Sequence, residues 1–231
     1  CKERNVGGST LLSLDNVQSQ LARLQASFTI CSAMCCRSAS ISGIENNLAS
    51  QGLEANVMKA LITDLMQESA QLLVQLSGAK GYRTSHIGAR GIMDSRPFQI
   101  FEGSNEMLYV QIAETILKLM RKHKQYHLYQ FFCNFPLTIK CADRFKSNLS
   151  FVISDFNSQR KLVDFGKIIS RVIVAAYVTE LMAKGFSKNL GDNCMVVIGQ
   201  DVSLQVSSYK FKNNVQNIED YLEKGMWQCY C

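Results

Sequence analysis

Two stretches decide how this chain reads: Gln75-Leu-Ser-Gly-Ala-Lys-Gly-Tyr82 and, a short way on, Asp94-Ser-Arg-Pro-Phe-Gln-Ile-Phe-Glu-Gly-Ser-Asn-Glu106. In the first, an apolar helical pattern is halted by Gly78. The second sets one carboxylate, Glu102, directly before Gly103 and Ser104, where a new helical pattern opens with Ser104 placed to cap it. Gly78, Gly81, Gly88, Gly91 and Gly103 crowd the interval. That density predicts a long, turn-rich excursion over 77–104 and not a regular helix, and such excursions in compact domains carry function.

On either side of this excursion the apolar residues recur at steps of three and four. Val17, Leu21, Leu24, Phe28, Cys31 and Cys35 predict one stripe of a long helix starting after Leu14, with Asp15 or Ser13 as its cap. A polar connection with Gly43, Asn46, Asn47 and Gly52 leads to a second helix, whose apolar positions run from Val57, Met58, Leu61 and Ile62 to Leu76. Two helices with so short a link are expected to pack antiparallel. A third runs from Asn105 to about Lys122 with Leu108, Ile112, Ile116 and Leu119 inward. The fold class is all-α: a first helical unit over 1–125, then an aromatic strip (Tyr126, Tyr129, Phe131, Phe132, Phe135) ending at Pro136 that reads as a linker or docking strip.

Residues 137–231 read as an appended helical region. Ile168, Val172, Ile173, Ala176, Val178, Leu181 and Met182 give a buried helix closed by Gly185, and Val215, Ile218, Leu222 and Met226 a last amphipathic one. Met195-Val-Val-Ile-Gly199 fits a strand or a buried helical turn equally well.

Composition bounds the class. With 47% hydrophobic and 19% charged residues the chain can build a sizeable core, and only two prolines interrupt it. The formal charge of +6 is concentrated partly in Lys118-Leu-Met-Arg-Lys-His-Lys124. The bolder reading is a surface for nucleic acid or anionic lipid; the plainer and preferred one is the cationic last turn of a helix, so no nucleic acid is expected, while peripheral membrane contact stays open. Nine cysteines form no Cys-x-x-Cys pair and no even loop-borne framework, which points to a reducing, intracellular compartment, cytoplasmic or like the mitochondrial matrix. His86, His123 and His127 lack partners at ligand spacing, so no metal is expected. The opening Cys1-Lys-Glu-Arg has no initiator methionine, signal peptide or apolar run of membrane-spanning length, and reads as a piece of something longer.

Five stretches in register resemble the carboxy-terminal helical domain of the acyl-CoA dehydrogenase family. Glu3-Arg4-Asn-Val-Gly-Gly8 is similar to E-R-x-x-F-G, and Val17-Gln18 with Leu21-Ala22 to the stretch that follows it. Met58-Lys59 matches the family's a-K, Gln75 to Tyr82 matches Q-x-x-G-G-x-G-[YF], and Asp94-x-Arg96 with Ile100 to Glu106 matches R-D-x-R-x-x-x-I-y-E-G-T-x-E. The resemblance runs from Glu3 to about Leu119. It departs at Gly7 for phenylalanine, Asp15 for a frequent glutamine, Ala79 for glycine and Met93 for arginine. The further helical unit is similar to the very-long-chain type, which carries an extra carboxy-terminal domain.

The resemblance implies an FAD-dependent oxidoreductase of fatty acid metabolism that removes hydrogen across the α and β carbons of an acyl-CoA thioester. Glu102 would take the α proton, a task that needs a carboxylate in a dry pocket. Gly103 would let the backbone approach the acyl group, and a backbone amide there can polarise the thioester carbonyl. Ser104 and Glu106 would meet the flavin, and Arg4, Gln75, Gly78 and Ala79 the diphosphate and adenine side of FAD across a subunit boundary, so a homodimer or tetramer is expected. In the family an amino-terminal helical domain, a strand domain and a further first bundle helix complete the pocket, so this chain alone is expected to be inactive. A non-catalytic helical assembly module that has lost flavin, an acyl-CoA oxidase and a DNA-associated relative of the same fold are the alternatives, the first favoured by Gly7 and Asp15.

Overall fold

The computed structural model describes residues 1–43, 51–153, 158–212 and Met226. Among the described residues a two-stranded antiparallel hairpin, β1 (Asn5–Val6) and β2 (Ser9–Thr10), precedes eight α-helices: α1 (Asp15–Ile41), α2 (Gly52–Ser77), α3 (Ile87–Ser95), α4 (Asn105–Lys122), α5 (Leu128–Asn134), α6 (Lys146–Leu149), α7 (Gln159–Ala183) and α8 (Lys188–Lys210). The hairpin accounts for Gly7. It and Gly8 form the two-residue loop at φ 60° and 87°, a turn open to glycine and closed to phenylalanine without strain.

α1 and α2 run antiparallel, as their short link implies: Arg37 bonds Glu54 near one end and Arg23 bonds Glu68 near the other. The buried face of α1 differs from the expected stripe. Ala26, Ile30, Ala33 and Met34 are inside, whereas Phe28 is 60% exposed and Cys35 also faces out. The two apolar faces of α1 are comparable in sequence, and α7 and α8 close on the one carrying small residues. The cap expectation also changes. Leu14 is the capping position without a side-chain bond, Asp15 accepts from the Asn16 amide, and the Ser13 hydroxyl donates to Thr10 O.

The excursion is more regular than its glycines suggest. It holds α3 between two 3-10 turns (Gly78–Lys80 and Arg96–Gln99) and runs back along α2 instead of gathering at one end of the bundle. Gly88 and Gly91 are close-packing positions, not breaks: a Cβ at Gly88 would lie 3.0 Å from Val74 Cγ2, and one at Gly91 3.2 Å from Ala70 Cβ. Gly81 is tighter still, its Cβ falling 2.8 Å from Val74 O.

The aromatic strip is core and not a linker. Leu128, Phe131 and Phe132 on α5 are buried, Phe131 and Phe135 stack at 5.4 Å, and His127 bridges Val152. The Met195 to Gly199 run is helical within α8, capped by Ser187 and buried through Cys194, Met195, Val197 and Ile198. Packing overrides the preference of its β-branched residues. The expected last helix, through Val215, Ile218 and Leu222, lies outside the described residues.

α7 joins both parts of the chain. Ile168, Ile169, Val172, Ile173, Val174 and Val178 are wholly buried in one core shared with α1, α2, α4 and α8. Their burial contributes on the order of 10 kcal/mol gross. The ion pairs that cross the same interfaces about break even against desolvation, so they set register more than stability. Gly166 is the closest approach: a Cβ there would lie 2.0 Å from Tyr109 O on α4.

One such pair predicts a pH dependence. Arg37 holds Glu54 through two bonds of 2.8 and 2.9 Å, and Tyr177 of α7 donates to the same carboxylate. Burial pushes the Glu54 carboxyl up, but Arg37 and Tyr177 outweigh it and the pKa ends below its ordinary value. The folded state thus binds this proton less readily than the unfolded chain. The contribution is complete above about pH 4.5 and is lost as pH falls through the lower folded-state value. Glu54→Gln should flatten this acid limb in urea unfolding at a series of pH values; an unchanged slope would assign the limb to other carboxylates.

Candidate functional site

The residues singled out by sequence fall into two corners at opposite ends of α2. At one, Glu102 and Gly103 form a turn at φ 57° and 93° that feeds α4. Ser104 caps the helix, its Oγ accepting from the Met107 amide at 3.4 Å, which leaves its hydroxyl proton free to donate. Glu106 stands in the first turn, where the helix dipole favours an acid. Lys59 of α2 reaches across to donate to Gly103 O at 2.7 Å and to Asn105 Oδ1 at 3.1 Å.

Behind the turn lies a buried polar hub. Asp64 Oδ1 accepts from Asn105 Nδ2 (2.6 Å) and Gln99 Nε2 (2.8 Å), and its Oδ2 accepts from the Tyr109 hydroxyl (2.7 Å). Burial pushes the Tyr109 phenol up, so it stays a donor to Asp64. Arg171 of α7 stands beside Tyr109 and donates to Asp201 at 3.0 Å, which Arg23 shares at 2.8 Å. Burial opposes the Arg171 cation, but Tyr109 and Asp201 more than restore it and its pKa lies above the ordinary value. A cleft of about 260 Å³ opens here between Asp64, Arg96, Ser104, Glu106 and Lys167.

At the other corner α2 stops at Gly78, φ 62°, whose amide returns to Gln75 O and Val74 O. The Arg4 guanidinium lies directly over it, so that a Cβ at Gly78 would fall 3.0 Å from Arg4 Nη1. Arg4, Gly78 and Ala79 thus come together, with Gln75 exposed one turn earlier. Lys59 and Gly78 are roughly 28 Å apart along the helix at about 1.5 Å per residue, so the structure does not bring the Arg4 corner to Glu102 within one chain. Glu102 itself is exposed. The dry surroundings expected for its carboxyl are not supplied by the described residues.

The family model described as "Acyl-CoA dehydrogenase, C-terminal domain" matches residues 1–117. The chain belongs to the acyl-CoA dehydrogenase family. The fold agrees: the crystal structure of an acyl-CoA dehydrogenase complexed with FAD from Bacillus anthracis superposes with a TM-score of 0.60 at 17% identity, over 90% of this chain and 43% of that one. The chain therefore spans less than half the length of that relative. No curated protein matches it. Sequence reasoning within the acyl-CoA dehydrogenase pattern reached the turn and the glycine corner but missed Asp64, Asn105, Tyr109 and Arg171. Two signals were available: Asp64 interrupts the apolar run between Leu61 and Leu65, and Asn105 and Tyr109 share one face of α4 at a four-residue step. Among the described residues no three His, Cys, Asp or Glu side chains are grouped to hold a metal, and no helix is long and apolar enough to cross a membrane.

Proposed function

We propose that the chain is the carboxy-terminal portion of an FAD-dependent acyl-CoA dehydrogenase that forms the α,β double bond of an acyl-CoA thioester. The observation that supports this most is the Glu102 turn: a carboxylate at positive φ, next to a glycine, on the amino terminus of a helix. Gly103 leaves the backbone open to a thioester, since the nearest atom to a Cβ there would be Leu108 Cδ2 at 3.7 Å. The residues also fit the cofactor. Arg4 over the glycine at 78 makes a cationic cradle that a side chain would fill, suited to a diphosphate.

FAD, when bound, supplies the hydride acceptor for the β carbon. Glu102 would take the α proton and become the neutral acid, leaving the electron pair of the broken carbon–hydrogen bond to form the carbon–carbon double bond. Ser104 donates its hydroxyl proton and Glu106 flanks it. Arg4, Gln75, Gly78 and Ala79 would hold the diphosphate and adenine end. On this reading the two corners, at opposite ends of α2, would serve one cofactor from two copies of the chain, and the active form would be a homo-oligomer. The pocket that dries Glu102 belongs to parts of the protein beyond this chain, and the isolated chain is inactive. Its compartment is intracellular.

The second reading, a flavin-free assembly module, draws on the exposure of Glu102. Colour separates the two. The full-length protein should purify yellow, with flavin absorption that bleaches on adding acyl-CoA. A colourless preparation that takes up no added FAD would sink the dehydrogenase reading.

A further inference from the structure

Glu102 and Lys124 are the two non-glycine residues at positive φ among the described residues. A non-glycine residue keeps that conformation only where its surroundings impose it, and such outliers concentrate at functional sites. At Glu102 the surroundings can be named. Lys59, half-buried on α2, places its ammonium on Gly103 O and Asn105 Oδ1, the carbonyl one residue after Glu102 and the first side chain of α4. Asn105 is in turn buried and fixed by Ala60 O, Thr63 and Asp64. Lys59 pairs with no carboxylate among the described residues; its charge is spent on two neutral acceptors of one turn. The distance in sequence is 44 residues to Gly103, so this is tertiary bracing and not local turn chemistry.

We propose that Lys59 is the positioning residue of the Glu102 turn: by gripping both Gly103 O and Asn105 Oδ1 it holds the backbone at positive φ and aims the Glu102 carboxylate at the substrate. What the carboxylate then does rests on the dehydrogenase reading; the grip does not. Lys59 touches no reacting atom, so its loss acts on orientation alone, where a misplacement of about 1 Å costs on the order of 10²-fold in rate.

The test uses Lys59→Met, which keeps most of the stem and removes the charge, with Lys59→Arg as the conservative rescue. In the full-length flavoprotein, kcat for Lys59→Met should fall about 10²-fold while KM stays within about twofold, and Lys59→Arg should recover most of the loss. Amide exchange of Phe101, Met107 and Leu108, whose amides bond Pro97 O, Ser104 Oγ and Ser104 O on either side of the turn, should quicken about tenfold in Lys59→Met, with the remainder of α2 and α4 unchanged. Should Lys59→Met fail to fold, Lys59→Gln, which keeps a donor without the charge, is read for the same outcomes. Unchanged exchange at Phe101, Met107 and Leu108, or an unchanged kcat, would overturn the proposal. If the wild-type protein bleaches no flavin, the dehydrogenase reading fails and exchange alone decides whether Lys59 holds the turn.

Discussion

Glu102→Gln should leave the full-length protein yellow and abolish its substrate-dependent bleaching. The substitution keeps the shape of the side chain and removes its basicity. A positioned general base contributes about 10²–10⁴-fold, and on the proposed reading that is the contribution Glu102 makes. Flavin should stay bound, because Arg4 and Gly78, the groups proposed to hold its diphosphate, lie at the opposite corner. The amide-bearing variant should also still bind acyl-CoA, since Gly103 and the backbone of the turn are untouched. The check is anaerobic mixing with substrate, followed by its flavin absorption. Bleaching at a near-normal rate would show that another group takes the proton.

Ala176→Arg should unfold the whole molecule in one shifted transition. Ala176 is 3% exposed on α7, inside the core that α7 shares with α1, α2 and α4. An arginine there overfills the site and buries a charge without a partner, a combination that costs several kcal/mol. The damage cannot stay in the tail. Gly166 brings α7 against the backbone of Tyr109, Tyr177 donates to Glu54, and Arg171 leads through Asp201 to Arg23, so α7 is bound to three helices of residues 1–122. Calorimetry with probes in both halves should therefore give coincident curves at a lower temperature. Two transitions, the one for residues 1–122 unmoved, would mean that 137–231 folds by itself.

Much of the candidate site was legible because its signals are local. Gly78 as a helix stop, Ser104 as a cap and Glu102 set before Gly103 are each decided within a few residues, and their register carries the family likeness. The helix-borne part was not legible. Lys59 entered only as a family match, and Arg171 carried no signal at all; only the meeting of α2, α4 and α7 shows that they converge with Asp64 behind the turn. Glycine misled in the excursion, since Gly88 and Gly91 serve close helix packing and the sequence signal for that is the same as for a break.

By itself, the sequence determined the all-α class, the spans of the long helices, the turn that presents Glu102 and the membership of the acyl-CoA dehydrogenase family. Tertiary structure decided which face of α1 is buried, that the excursion lies along α2, that the aromatic segment is core, and that Lys59 meets Gly103. The physical reason is one of range. Caps, stops and periodicity act within a turn or two of backbone, whereas the choice between two comparably apolar faces, and the partners of a charge, depends on surfaces brought together from distant parts of the chain.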